Sequence, residues 1–182
     1  MTIGAKEFRE ALGLFATGVA VIVTEIDGHV HAMTANAVSS LSLDPMLVLF
    51  CPAKKARFSN LVPVATHYSI NFLRDDQQAL STYFAGSWKE SAPPSFRFVA
   101  SGPFRRLEGA LSSLLCVRHQ VLDGGDHWLV TARVEDAHRG IEPHRPLVFF
   151  RGQYRAIDLS AGTPAPDLPA TSDEPAQMYH HD

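Results

Sequence analysis

The segment richest in potential chemistry runs Thr34-Ala35-Asn36-Ala37-Val38-Ser39-Ser40-Leu41-Ser42-Leu43-Asp44-Pro45, directly after a predicted strand. Its hydroxyl and amide side chains offer donors and acceptors at short reach, and the small residues between them let backbone approach a ligand closely. A flat heteroaromatic ring such as an isoalloxazine needs that combination along its polar edge. The same composition also suits a Ser-rich loop that caps its own backbone.

A second segment, Cys51-Pro52-Ala53-Lys54-Lys55-Ala56-Arg57-Phe58, puts three cations in a loop leading into a predicted helical turn. Loop N–H groups and cationic side chains together suit a phosphate. A solvated surface charge run has the same composition. A third segment, Asp123-Gly124-Gly125-Asp126-His127-Trp128, is a tight turn that delivers a carboxylate, an imidazole and an aromatic ring to the start of a strand. His127 could orient a nicotinamide against such a ring, or simply bond a turn carbonyl. His29 and His31 share a strand face, but no Cys or carboxylate joins them at ligand spacing, so no metal site is expected. The chain contains neither Gly-x-Ser-x-Gly nor Gly-x-Gly-x-x-Gly. Ser-His-Asp hydrolysis therefore has no anchor, and a Rossmann nucleotide site is not expected.

These segments need a scaffold. Phe8, Ala11, Leu12, Leu14 and Phe15 recur at near-helical spacing and predict a short amphipathic helix over residues 5–15. The β-branched run from Val19 to Ile26, the turn Asp27-Gly28 and the stretch His29 to Ala35 predict a hairpin. Met46 to Cys51 is a continuous apolar run between two prolines, which predicts a strand buried on both faces. A helical turn over 58–62, a strand over 66–73 and a helix over 76–84 opened by acidic capping residues follow. Residues 85–103 read as a looser Ser-, Gly- and Pro-rich stretch. Beyond them, strands are predicted over 110–122 and 127–137, joined across 123–126, and over 147–151 and 153–157 around Gly152. The sum is mostly β and antiparallel with a few peripheral helices, and full or partial barrel closure would remove its exposed edges.

A chain of 182 residues suits one domain, expected over 1–159. Residues 160–182 combine Pro, Ala and acidic residues with little apolar periodicity, and are expected to form a disordered tail. The net charge of −3, from 16 Lys+Arg and 19 Asp+Glu, supplies no field that would gather a polyanion, so nucleic acid is not an expected partner. Cys51 and Cys116 stand alone, which argues against a disulfide framework. No basic-then-apolar leader and no bilayer-length apolar run is seen, so a cytoplasmic protein without membrane contact is expected.

One order of motifs carries a resemblance. Phe8-Arg9-x-Ala11, Phe15-Ala16-Thr17-Gly18-Val19, the 34–45 segment and Cys51-Pro52 come first. Ser69-Ile70-Asn71-Phe72-Leu73 with Gln77-Gln78, then Phe84-Ala85, Gly125-Asp126-His127 and Pro146-Leu147-Val148-Phe149-Phe150-Arg151-Gly152-Gln153-Tyr154 complete it. In this order they resemble the short-chain flavin reductase family, whose FMN-binding split barrel serves two-component flavin monooxygenases. The resemblance implies a homodimer in which NADH or NADPH reduces FMN or FAD for a partner monooxygenase. It implies flavin contacts from Thr34, Ala35, Asn36, Ala37, Ser39, Ser40 and Ser42 along the ring and ribityl chain. Lys54, Lys55, Ala56 and Arg57 are implied at the phosphate, Cys51, Pro52 and Tyr154 as further contacts, and His127 as the catalytic residue on the nicotinamide side. Relatives often carry Ser or Thr where Ala56 stands, so Lys55 and backbone N–H groups are expected to take more of the phosphate. They often carry Gly where Ala132 stands, so the approach to that strand is expected to narrow. Two other readings fit the same barrel: FMN retained as a prosthetic group for another redox substrate, and a non-enzymatic flavin-binding or regulatory protein.

Overall fold

The computed structural model describes residues 3–140, 145–158 and 160. Residues 161–182, most of the expected tail, lie outside the described residues. A helix α1 (Ala5–Leu12) and a two-residue strand β1 (Thr17–Gly18) precede the hairpin β2 (Ala20–Ile26) and β3 (His29–Ala35). Its turn has φ of 50° at Asp27 and 77° at Gly28, the doubly left-handed geometry that matches strand twist and that the Asp-Gly pair tolerates. Strands β4 (Val38–Leu43), β5 (Met46–Phe50) and β6 (His67–Phe72) follow, then α2 (Gln78–Phe84) and the small hairpin β7 (Phe98–Ser101) with β8 (Phe104–Leu107). The long hairpin β9 (Ser112–Gly124) and β10 (His127–Arg139) precedes β11 (Val148–Phe150) and β12 (Gln153–Arg155). Among the described residues no helix is long and apolar enough to cross a membrane.

Seven strands form one antiparallel sheet in the order β3-β2-β6-β9-β10-β5-β4. Its two edge strands, β3 and β4, are joined only by Asn36 and Ala37. Three extended residue steps reach at most about 11 Å. The two edges must therefore come together, and the sheet must curl into a barrel split between β3 and β4. Met33 of β3 accordingly shares one core with Val48 and Phe50 of β5, and with Ile22, Ile70, Cys116 and Val130. A second core covers the outer face, where Val19, Val21, Val23 and Leu73 pack against Leu80, Leu107 and Leu147. The expected mostly-β, antiparallel split barrel is the fold observed.

Four local expectations need correction. Residues 38–43 form the strand β4 rather than a loop, because Ser-rich sequence is tolerated on an edge strand with an open face. Met46–Phe50 is not buried on both faces: Val48 and Phe50 are buried, while Leu47 and Leu49 are half-buried and Met46 is exposed. The helix over 76–84 opens as a 3-10 turn at Asp75–Gln77, and its reciprocal cap is the Gln77 side chain accepting from the Arg74 N–H at 3.0 Å. Asp76 is drawn off to the Arg74 guanidinium at 2.8 Å. Within the looser 85–103 stretch, Phe98–Ser101 is a strand, paired to β8 across Gly102-Pro103.

Asn71 ties the layers together. Its fully buried amide donates to the Val21 carbonyl at 2.9 Å and to the Ser69 hydroxyl at 2.8 Å. Its carbonyl accepts from the Leu107 N–H at 2.9 Å and the Ser113 hydroxyl at 2.8 Å. Removing it orphans several buried polar groups at once, so Asn71→Ala is expected to cost about 3 kcal/mol of unfolding free energy. Urea denaturation checks this, and a loss below roughly 0.5 kcal/mol would contradict it.

Candidate functional site

Beside the split, the Asn36-Ala37 link and the start of β4 form one wall of a cleft of about 680 Å³. Asn36, Ala37, Val38 and Ser39 line it together with Thr17 and Leu49. Phe15 and Phe149 supply its aromatic surfaces, and Arg9 and Arg151 its charged ones. The volume lies within the roughly 300–1,000 Å³ range of small-molecule pockets. The Asn36 amide donates to the Thr17 hydroxyl at 3.3 Å, which leaves its carbonyl available as an acceptor. A recess of about 220 Å³ continues past Ala16 and Gly18 to Phe72.

The cleft wall is coupled to the cationic loop. The Cys51 N–H donates to the Ala37 carbonyl at 3.1 Å, and the chain then runs into residues 52–57. The tip of the β9–β10 hairpin lies along that loop: the Trp128 N–H donates to the Pro52 carbonyl, and the Lys54 N–H to the Asp126 carbonyl, each at 2.9 Å. Lys54 Nζ sits 2.5 Å from the Asp123 carboxylate and 4.6 Å above the Trp128 ring. The Ser59 hydroxyl fixes the loop from beneath by donating to the Ala53 carbonyl at 2.6 Å. Lys55 and Arg57 are exposed. The Lys54 ammonium holds the Asp123 carboxyl below its ordinary range, and His127 does the same for Asp126. His127 Nδ1 lies 2.7 Å from Asp126, which fixes the plane of a half-exposed imidazole.

The structure thus sorts the sequence candidates into three groups. Asn36, Ala37 and Ser39 line the cleft, while Ser40 is exposed on β4 and Ser42 is half-buried there. Cys51, Pro52, Lys54, Lys55, Ala56 and Arg57 form the adjoining loop, with His127 beside them at the Ala53 bridge rather than in the cleft lining. Burial pushes the Cys51 thiol up, away from nucleophile chemistry. Thr34, Ala35 and Tyr154 are structural in their contacts. Thr34 donates to the Ser81 carbonyl at 2.6 Å, the Tyr154 and Ser81 hydroxyls share a 2.9 Å bond, and Ala35 packs on the barrel core. Tyr154 also stands edge-on to Phe149 at 5.5 Å, and so supports an aromatic wall of the cleft. Ala132 is fully buried opposite Val48, so its methyl narrows the core and not the approach to the cleft.

Residues 12–158 match the family described as the flavin reductase like domain. The chain belongs to that family. A curated relative from Rhodococcus, an NADH-dependent flavin reductase, is 40% identical over 154 residues, covering 83% of this chain and 85% of the relative. The reductase subunit HsaB of a flavin-dependent monooxygenase from Rhodococcus jostii is 35% identical over 173 residues, covering 90% and 84%. The solved flavin reductase PheA2 superposes with a TM-score of 0.79 at 38% identity, over 86% of this chain and 99% of that one.

For a flavin reductase, the residues that sequence reasoning misses are the ones the barrel gathers from afar: Arg9, Phe15, Thr17, Leu49, Phe149 and Arg151. Most of them lie inside the motifs that carry the family resemblance. Nothing in their spacing shows that residues near position 15 meet residues near position 150, because the β1–β11 pairing that joins them is a long-range contact.

Proposed function

We propose that the chain is an NADH-dependent flavin reductase that supplies reduced flavin to a monooxygenase component, with the flavin held in the cleft beside the split. The observation that carries the site is the cleft itself: short donors and acceptors at Asn36 and Ser39, apolar Val38 and Leu49, and aromatic walls at Phe15 and Phe149. That donor set fits an isoalloxazine, with apolar surface for its faces and polar groups for its edge. Bound flavin supplies the hydride-accepting centre, and the protein supplies position.

Asn36 and Ser39 would hold the ring edge, and backbone at Ala37 gives close approach. Lys55 and Arg57, with the N–H groups of the 53–57 loop, would take a phosphate, since Lys54 is already committed to Asp123 and Trp128. Lys54 instead holds the loop against the hairpin tip. His127, oriented by Asp126, would serve the nicotinamide side through Nε2. NADH is the donor favoured by the relatives, and either FMN or FAD suits the cleft.

A second copy of the chain fits the exposed apolar surface. Helix α1 buries none of its residues; Phe8 and Leu12 are more than half exposed, as is Phe15 just beyond it. On the β4–β5 side, Leu43 and Met46 are exposed to the same degree. Apolar surface of that extent on a folded chain marks an interface. Sedimentation equilibrium is expected to give a two-subunit particle, and a monomer at micromolar concentration would contradict the dimer.

Purified protein is expected to oxidise NADH with a saturating dependence on added flavin. Flavin binding without NADH oxidation would contradict the reductase reading. Lys55→Ala is expected to raise the flavin KM roughly 10-fold at low salt while riboflavin, which has no phosphate, is unaffected. An unchanged flavin KM would remove Lys55 from the phosphate site.

A further inference from the structure

Two arginines from opposite ends of the chain face the cleft. Arg9 lies on α1 and Arg151 at the tip of the β11–β12 turn, and among the described residues they are the cleft's only charged lining groups. The cleft carrying Asn36 and Ser39 therefore has two positive charges and no carboxylate to offset them. On the far side of the same pair lies another cavity of about 680 Å³, where Lys6, Glu7 and Glu10 mix the signs. The two carboxylates there offset part of the charge, so the Asn36 side is the more favourable for an anion.

The local backbone is built to bring the two arginines together. The Arg151 N–H donates to the Gly13 carbonyl at 2.9 Å, which docks the turn on the end of α1. A methyl group at Gly13 would stand 3.9 Å from the Arg151 Cα, so the turn packs in ordinary van der Waals contact with the end of α1. Arg151 itself has φ of 51°, and Gly152 has 73°. At the equivalent place in the β2–β3 turn the chain uses Asp27, a residue type that tolerates left-handed backbone. Arginine gains nothing from that conformation, and a side chain kept against local preference points to a use for its guanidinium. That guanidinium lies over the Phe150 ring, 5.5 Å from its centre, and the Arg9 guanidinium has no hydrogen bond or ion pair to another described residue.

We propose that Arg9 and Arg151 clamp the diphosphate of a dinucleotide whose reactive ring lies in the cleft. This rests on the reductase reading of that cleft. A guanidinium pair suits a diphosphate, since each fork donates two parallel N–H groups to phosphate oxygens. The 53–57 loop and the arginine pair then form two anion sites. With FMN in the cleft, the first takes the flavin's phosphate and the second takes the diphosphate of the nicotinamide dinucleotide; with FAD, whose flavin phosphate is half of its diphosphate, the second site takes that diphosphate instead.

ADP-ribose, which carries the diphosphate and the ADP half but neither redox ring, is the direct probe. Calorimetric titration of the full-length protein is expected to show ADP-ribose binding that weakens roughly 10-fold in Arg9→Gln and in Arg151→Gly. Glycine adopts φ of +51° without steric cost, so Arg151→Gly should melt no lower than the unchanged protein, and its loss of binding is not a folding defect. Two kinetic arms then identify the source. A raised KM for NADH with no change for reduced nicotinamide mononucleotide assigns the clamp to the nicotinamide dinucleotide; weakened FAD with unchanged FMN assigns it to FAD. Absence of ADP-ribose binding, or equal binding by both variants and the unchanged protein, would overturn the clamp. Arginine-dependent ADP-ribose binding in a protein that does not oxidise NADH would keep the clamp and overturn the reductase reading.

Discussion

The two-residue link between Ala35 and Val38 is the constraint from which the site follows. It ties together the opposite edges of a seven-stranded sheet, so the sheet can neither lie flat nor zip fully shut at that point. The unsealed seam leaves the polar groups of Asn36 and Ser39 facing a cleft instead of a neighbouring strand. Closure also puts β2 between two apolar layers, which explains why five consecutive residues of that strand are buried. A sheet buried on both faces needs its internal polar groups matched, and the Asn71 amide does this where β2, β6, β8 and β9 meet.

The chemistry divides along the cleft in the same economical way. Small polar residues occupy the seam, where backbone must approach a flat ring. Cations stand at two separate places: the loop after β5, coupled to the seam through the Cys51–Ala37 bond, and the α1–β11 corner, coupled through the Arg151–Gly13 bond. In the loop, one cation is spent on architecture, because Lys54 pairs with Asp123 and covers Trp128. Among the described residues no buried acid–base pair lines the cleft, as befits a protein that positions two reactants and leaves the hydride to them.

What the sequence makes legible follows the range of the interactions. The Asp27-Gly28 turn, the helix at α1 and the long β9–β10 hairpin are local, and their residues announce them. Strand β4 is hidden because serines on an edge strand read as loop, and β7 is hidden inside a Ser-, Gly- and Pro-rich stretch. The cleft is half legible. Asn36, Ala37 and Ser39 stand out by type, whereas Arg9, Phe15 and Phe149 acquire meaning only once β1 pairs with β11. Thr34 and Tyr154 show the converse: their hydroxyls look available in the sequence, and the fold joins them through Ser81.

A crystal structure of the protein grown with FMN is the most direct test of the central claim. The isoalloxazine is expected in the cleft between Asn36–Ser39 and the Phe15 and Phe149 rings, with the flavin phosphate within hydrogen-bond reach of Lys55, Arg57 or the 53–57 backbone. An ordered flavin bound anywhere else on the barrel would contradict it.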